Sequence, residues 1–155
     1  VDHDERLLRG LALQAMMLAL PGSLYLRQGD EIALSDADKP TTPLELASMV
    51  AEHAQAQSSQ FGSPAATVRH AAHVRDEYNL ACAPMAFVTG LEWCPPDALV
   101  FLVRGVLVVV NTSDSPIILS AEAKVLLSSQ PLRQDQGRLL VPPTTTTWLE
   151  AVTVA

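Results

Sequence analysis

Residues 18–34, LALPGSLYLRQGDEIAL, decide how this chain is read. An apolar helical run stops at Pro21-Gly22, and a short strand-like run, Ser23 to Leu26, follows at once. The helix upstream, Glu5 to Leu20, is made of Leu, Ala, Met and Gln, all strong helix formers. Asp2 and Glu5 are spaced like a capping box at its start. Its inner turns are apolar almost all the way round, which predicts packing against a sheet with neighbours on both flanks. A lone buried parallel strand cannot satisfy its own edges, because parallel pairing needs crossover partners and a sheet covered on both faces. The stretch therefore reads as half of a repeating helix-strand unit whose partners lie outside these 155 residues.

Downstream, Gly29 allows the backbone to turn, and Asp36 to Pro43 is a polar loop with two prolines. Leu44 to Gln57 predicts an Ala-rich helix, broken by Ser58 to Pro64. Pro64 to Leu80 predicts another, with Pro64 near the first helical position, where a missing N–H costs nothing. Val68, Ala71, Ala72, Arg75 and Tyr78 fall on one stripe of it. After Cys82 the pattern changes. Pro84 to Trp93, Ala98 to Val103, Val106 to Asn111, Pro116 to Leu119, Lys124 to Ser128, Arg138 to Val141 and Thr145 to Val152 are short β-rich runs between turn residues. Arg104-Gly105 predicts a tight hairpin, and residues 111–114 a turn built on Asn, Ser and Asp side chains. The expectation is an α+β chain: a helix-strand-helix portion over residues 1–82 and an antiparallel β-sandwich over residues 83–155.

Composition narrows the function classes. Ten basic against seventeen acidic residues give a net charge of −7, and no Lys/Arg cluster is present, so a nucleic-acid partner is not expected. The longest apolar run, Leu11 to Leu20, is interrupted by Gln14 and far short of the ~20 residues that span a bilayer. An acidic start, Val1-Asp2-His3-Asp4-Glu5, does not look like a signal peptide. Cys82 and Cys94 form no metal-ligand or redox spacing and read as two free thiols of a cytoplasmic protein. No Gly-rich phosphate loop or nucleophile motif is present, and no cofactor is expected.

The order of parts, helix, Ala-Leu-Pro-Gly, strand, Gly-Asp-Glu-Ile, helix, then sandwich, resembles the tail of the α-amylase superfamily, glycoside hydrolase family 13. It resembles most closely the bacterial α-glucosidases. ALPGSLYLRQGDEI is similar to the run from the last barrel helix but one into strand eight, and ATVRHAAHVRDEY to the helix that closes the barrel. DALVFLVRGVLVVVNTSDSPIILS, KVLLSSQPL and LLVPPTTTTWLEA resemble successive strands of the family's C-terminal domain. The resemblance implies that most of a (β/α)8 barrel, the upstream polypeptide, is the partner of residues 1–82. It implies that the whole enzyme acts on an α-glucoside, with the nucleophilic Asp and the acid/base Glu upstream of this chain. The chain alone is then expected to be inactive, and without its partners to self-associate through the exposed apolar surface of residues 11–26.

Four groups of residues compete for a functional role. His3 and Asp4 resemble the family's Asn-His-Asp motif, but Asp2 stands where Asn is expected and Ala-Leu-Pro-Gly follows too soon, so a capped helix start is the favoured reading. Asp30 and Glu31 follow the expected strand and are candidates for substrate contact. Adjacent residues of an extended segment point to opposite sides, however, which suits a turn better than two carboxyls flanking one bond. His70, His73 and Glu77 share a helix face yet lack a fourth ligand, so no metal site is assigned. Trp93 and Trp148 could stack on sugar rings, although a chain with so few aromatics needs them in its core. Two further readings remain beside the enzyme: an accessory carbohydrate- or protein-binding sandwich, and an amylase-like scaffold without catalysis.

Overall fold

The computed structural model describes residues 3–120 and 122–151. The expected cap Asp2, the side chain of His3 and Val152 lie outside that set. Three helices come first: α1 (His3–Ala19), α2 (Pro43–Gln57) and α3 (Pro64–Glu77). The side chains of Thr42 and Ser63 accept backbone N–H bonds at the starts of α2 and α3, with a proline behind each cap. Then come β1 (Met85–Phe87), β2 (Leu99–Val103), β3 (Val106–Asn111), β4 (Ile117–Ser120), β5 (Val125–Ser128), β6 (Arg133–Asp135), β7 (Arg138–Val141) and β8 (Thr145–Glu150). The class is α+β, as expected. No helix among the described residues is long and apolar enough to cross a membrane.

The strands form a five-stranded antiparallel sheet, β1-β2-β3-β8-β5, and a three-stranded one, β4-β7-β6. Both faces of the large sheet are covered. On one, Phe101, Val103, Val106, Val108, Val110, Leu127 and Trp148 pack with Ala15, Leu18 and Ala19 of α1 and Ala71 and Val74 of α3. On the other, Val100, Val109 and Leu149 meet Ile117, Leu119 and Val141 of the small sheet. This explains why VLVVVN in β3 is apolar without alternation: a strand buried on both sides has no solvent face to mark with polar residues.

Polar bonds fix how the helices sit. Thr146 Oγ1 donates to the Ala12 carbonyl at 2.7 Å, and Trp148 Nε1 to the Ala15 carbonyl at 3.0 Å. Residues 146 and 148 share a strand face, and 12 and 15 share a helix face, so two matched rungs set α1 on β8. The alanines leave room for that approach. Arg75 of α3 donates to the Leu18 carbonyl at 2.8 Å and also to those of Leu20 and Gly22. Its guanidinium thus satisfies carbonyls that the end of α1 would leave orphaned, and places a positive charge at the negative end of the helix dipole.

Several expectations are corrected. Ser23 to Leu26 is not a strand. No neighbouring strand lies beside it among the described residues, so its amides have no ladder to join, and Tyr25 is 88% exposed. The expected Pro84 to Trp93 strand shortens to Met85–Phe87, because its partner β2 begins only at Leu99 and Gly90 turns the chain with φ 78°. Ala72 is exposed, and the buried stripe of α3 runs through Ala65, Ala71 and Val74 instead. The strand β6 was not anticipated at all.

Candidate functional site

The residues after α1 form a compact polar turn. Gly29 has φ 101°, the left-handed region that side chains avoid, and it opens a single 3-10 turn, Asp30–Ile32. Both candidate carboxylates are used inside it. Asp30 Oδ2 accepts from the Arg27 backbone N–H at 3.0 Å, and Glu31 Oε2 from that of Gly29 at 2.7 Å. Gln14 of α1 donates to the Asp30 carbonyl at 2.8 Å, and Gln57 of α2 to that of Ile32 at 3.2 Å. The turn is pinned between helices.

An ion cluster closes its outer side. Lys39 Nζ lies 2.9 Å from Asp36 Oδ1 and 3.9 Å from Asp30 Oδ1, while Arg27 Nη2 lies 3.5 Å and 3.7 Å from the same two oxygens. The Lys39 hydrogen bond, the Lys39 charge and then the Arg27 charge hold the Asp36 carboxyl below its ordinary value. Asp36, held toward its charged form by two cations, is unlike the acid of a glycosidase pair, which must keep its proton. This arrangement pins the loop between Arg27 and Lys39.

The other candidates are dispersed. Asp4 is exposed in the first turn of α1. The turn at Asp30 docks beside Gln14, ten residues further along, so roughly 15 Å of helix separates the two candidate groups. His70 Nε2 lies 2.8 Å from the Leu126 carbonyl and ties α3 to β5, and no group of three His, Cys, Asp or Glu among the described residues could hold a metal ion. Trp148 is wholly buried, and Trp93 is half-buried against the core between the sheets. Both cysteines are free.

Two shallow hollows, of about 500 and 470 Å³, lie on the solvent side of the small sheet, away from Asp30 and Glu31. Ile118, Ser120, Glu122 and Arg138 line the first; Pro131, Arg133, Leu140 and Pro143 contribute to the second. Neither holds two carboxylates. Sequence reasoning missed the Arg27–Asp30–Asp36–Lys39 cluster and the capping role of Arg75. The signal for Arg75 was present, since a single arginine on a stripe shared with Val68, Ala71, Ala72 and Tyr78 must find acceptors as that face packs.

No known family's sequence profile matches the chain, and no curated protein matches it. Solved structures do. Amy13B of Eubacterium rectale superposes with a TM-score of 0.64 at 13% identity, covering 98% of this chain and 36% of its own. The trehalulose synthase MutB gives 0.61 at 14% identity, covering 92% and 38%. The α-glucosyl transfer enzyme XgtA gives 0.58 at 18% identity, covering 92% and 35%. These are enzymes of the α-amylase superfamily, glycoside hydrolase family 13, and the chain shares the fold of a part of them. It spans little more than a third of their length.

Proposed function

We propose that this chain is the C-terminal portion of an α-glucosidase-like glycoside hydrolase of family 13. On this reading, residues 1–82 are the last barrel segments and residues 83–155 the domain that follows. The observation that carries it is the pairing of near-complete coverage of this chain with about a third of each neighbour, in the element order of helices first and sandwich last. The site geometry supports the same reading from the other side. The carboxylates at Asp30, Glu31 and Asp36 are occupied as caps and ion pairs, which supports a retaining pair, about 5 Å apart across a glycosidic bond, supplied from elsewhere. Asp30 and Glu31 then belong to a rim turn of the assembled enzyme, and α1 and the segment through Tyr25 face upstream polypeptide.

The test is to express the chain with and without the coding sequence upstream of Val1 and assay both with a chromogenic α-glucoside. Turnover is expected only from the longer product. Turnover by the 155-residue chain alone would overturn the placement of the nucleophile outside it. Inactivity of both, with the family's strand-four Asp and strand-five Glu replaced, would favour the scaffold reading instead.

A further inference from the structure

The small sheet ends on β6, Arg133-Gln134-Asp135, a strand exposed along its whole length. Its hairpin partner β7 follows through Gln136 and Gly137 at φ 45° and 73°, the two-residue turn whose twist matches that of antiparallel strands. In such a hairpin the flanking pair, Asp135 with Arg138, exchanges backbone hydrogen bonds, and so does every second pair, here Arg133 with Leu140. Gln134, between them, therefore directs its N–H and C=O away from β7 to the free edge. Leu139 and Val141 of β7 pack into the core between the sheets, so Arg133 and Asp135, paired with its other residues, stand on the outer face. Neither has an ion-pair partner among the described residues.

We propose that a second copy of this chain docks on this edge, β6 against β6 in antiparallel register about a two-fold axis at Gln134. The charges favour that occupant, because Arg-Gln-Asp read backwards is Asp-Gln-Arg. Antiparallel pairing sets Arg133 opposite Asp135 of the other copy twice over, at non-hydrogen-bonded positions where side chains come closest. Gln134 meets its own equivalent and exchanges the two outward backbone bonds. The result is one continuous six-stranded sheet, an isologous contact that closes on itself. Pro131 limits the strand at its start, so the contact is small and the dimer weak. The edge of β5 offers no such site, since His70 already occupies the Leu126 carbonyl. The proposal does not depend on the enzyme reading above.

Sedimentation velocity of the full chain from ~10 μM to ~1 mM tests it, the range in which a small interface dissociates. The expected result is a reversible dimer. R133D and D135R alone should each weaken it by at least ~10-fold, because both rows then oppose like charges. An equimolar mixture of the two variants should restore a dimer, since the acidic edge of one then faces the basic edge of the other. Gln134→Pro removes only the outward N–H and should abolish the dimer while the far-UV spectrum and melting temperature stay as in the parent. A monomer throughout the range, or a dimer indifferent to these changes, would overturn the proposal.

Discussion

β8 and α2 occupy one molecule on very different terms. Five of the six residues of β8 are buried, whereas α2 buries only Val50 along its 15 residues. The strand lies between β3 and β5, with helices on one face and the small sheet on the other. The helix rests on a cluster of three buried residues, Ile32, Val50 and Ala65, and on the Gln57 side chain. Stability should therefore be graded across the chain, with α2 opening locally at low cost and β8 opening only when everything does.

The largest effect is expected at Trp148. Replacing it with Ala removes a wholly buried indole and orphans the second rung to α1, which should cost ~3–5 kcal/mol, a large share of a marginal domain's stability. Urea unfolding followed by far-UV circular dichroism reads it. A loss below ~1 kcal/mol would break the claim that β8 is the centre of the fold.

Next comes Arg75. Its removal by Arg75→Ala leaves the part-buried carbonyls of Leu18 and Leu20, at and just beyond the end of α1, without their donor and should cost ~2–3 kcal/mol. Hydrogen exchange sharpens the comparison here: amides of α1 should lose protection while those of β3 and β8 keep most of theirs. Equal loss in both layers would mean that helices and sheet open as one unit.

A matched pair of smaller truncations follows. Val109→Ala, between the two sheets, should cost ~2 kcal/mol, about two methylenes plus a residual cavity. Val50→Ala removes the same atoms from a site at the periphery and should cost about half as much or less. Equal costs would remove the gradient.

How far the fold could be read from the sequence follows the same gradient. DALVFLVRGVLVVVN announces two buried strands and their hairpin, because burial on both faces writes itself as continuous apolar text. β6 carries no such signature. Arg133, Gln134 and Asp135 are all exposed, and only the following Gln-Gly turn and its pairing with β7 make them a strand. SLYL fails in the opposite direction, being apolar enough for a strand but lacking a partner to make it one. The polar cluster around Asp30 was illegible for a third reason. Arg27, Asp36 and Lys39 meet it only because Gly29 reverses the chain, and spacing along a sequence does not show where a loop folds back.

The smallest effect is expected at the seam between α3 and the sheet, where its sign can be worked out. Glu150 of β8 accepts from Tyr78 at 3.0 Å and pairs with Lys124 at 2.9 Å, and these bonds, that of Lys124 foremost, hold its carboxyl below its ordinary value of 4.5. A carboxyl whose pKa is depressed by folding stabilises the native state above its unfolded pKa, and that contribution fades as pH falls through the folded value. Glu150→Gln should therefore lower stability by a constant small amount from about pH 8 to about pH 5, and the difference from the parent should close below that. Tyr78 and Lys124 do not confuse the window, since both are pushed up by this same carboxylate and keep their protons throughout it. Lys124→Met should move the closing point upward, because it removes the leading cause of the depression. A gap between Glu150→Gln and the parent that stays open to about pH 2 would show that the seam is held by shape alone, and α3 would then join β8 on the apolar side of the comparison.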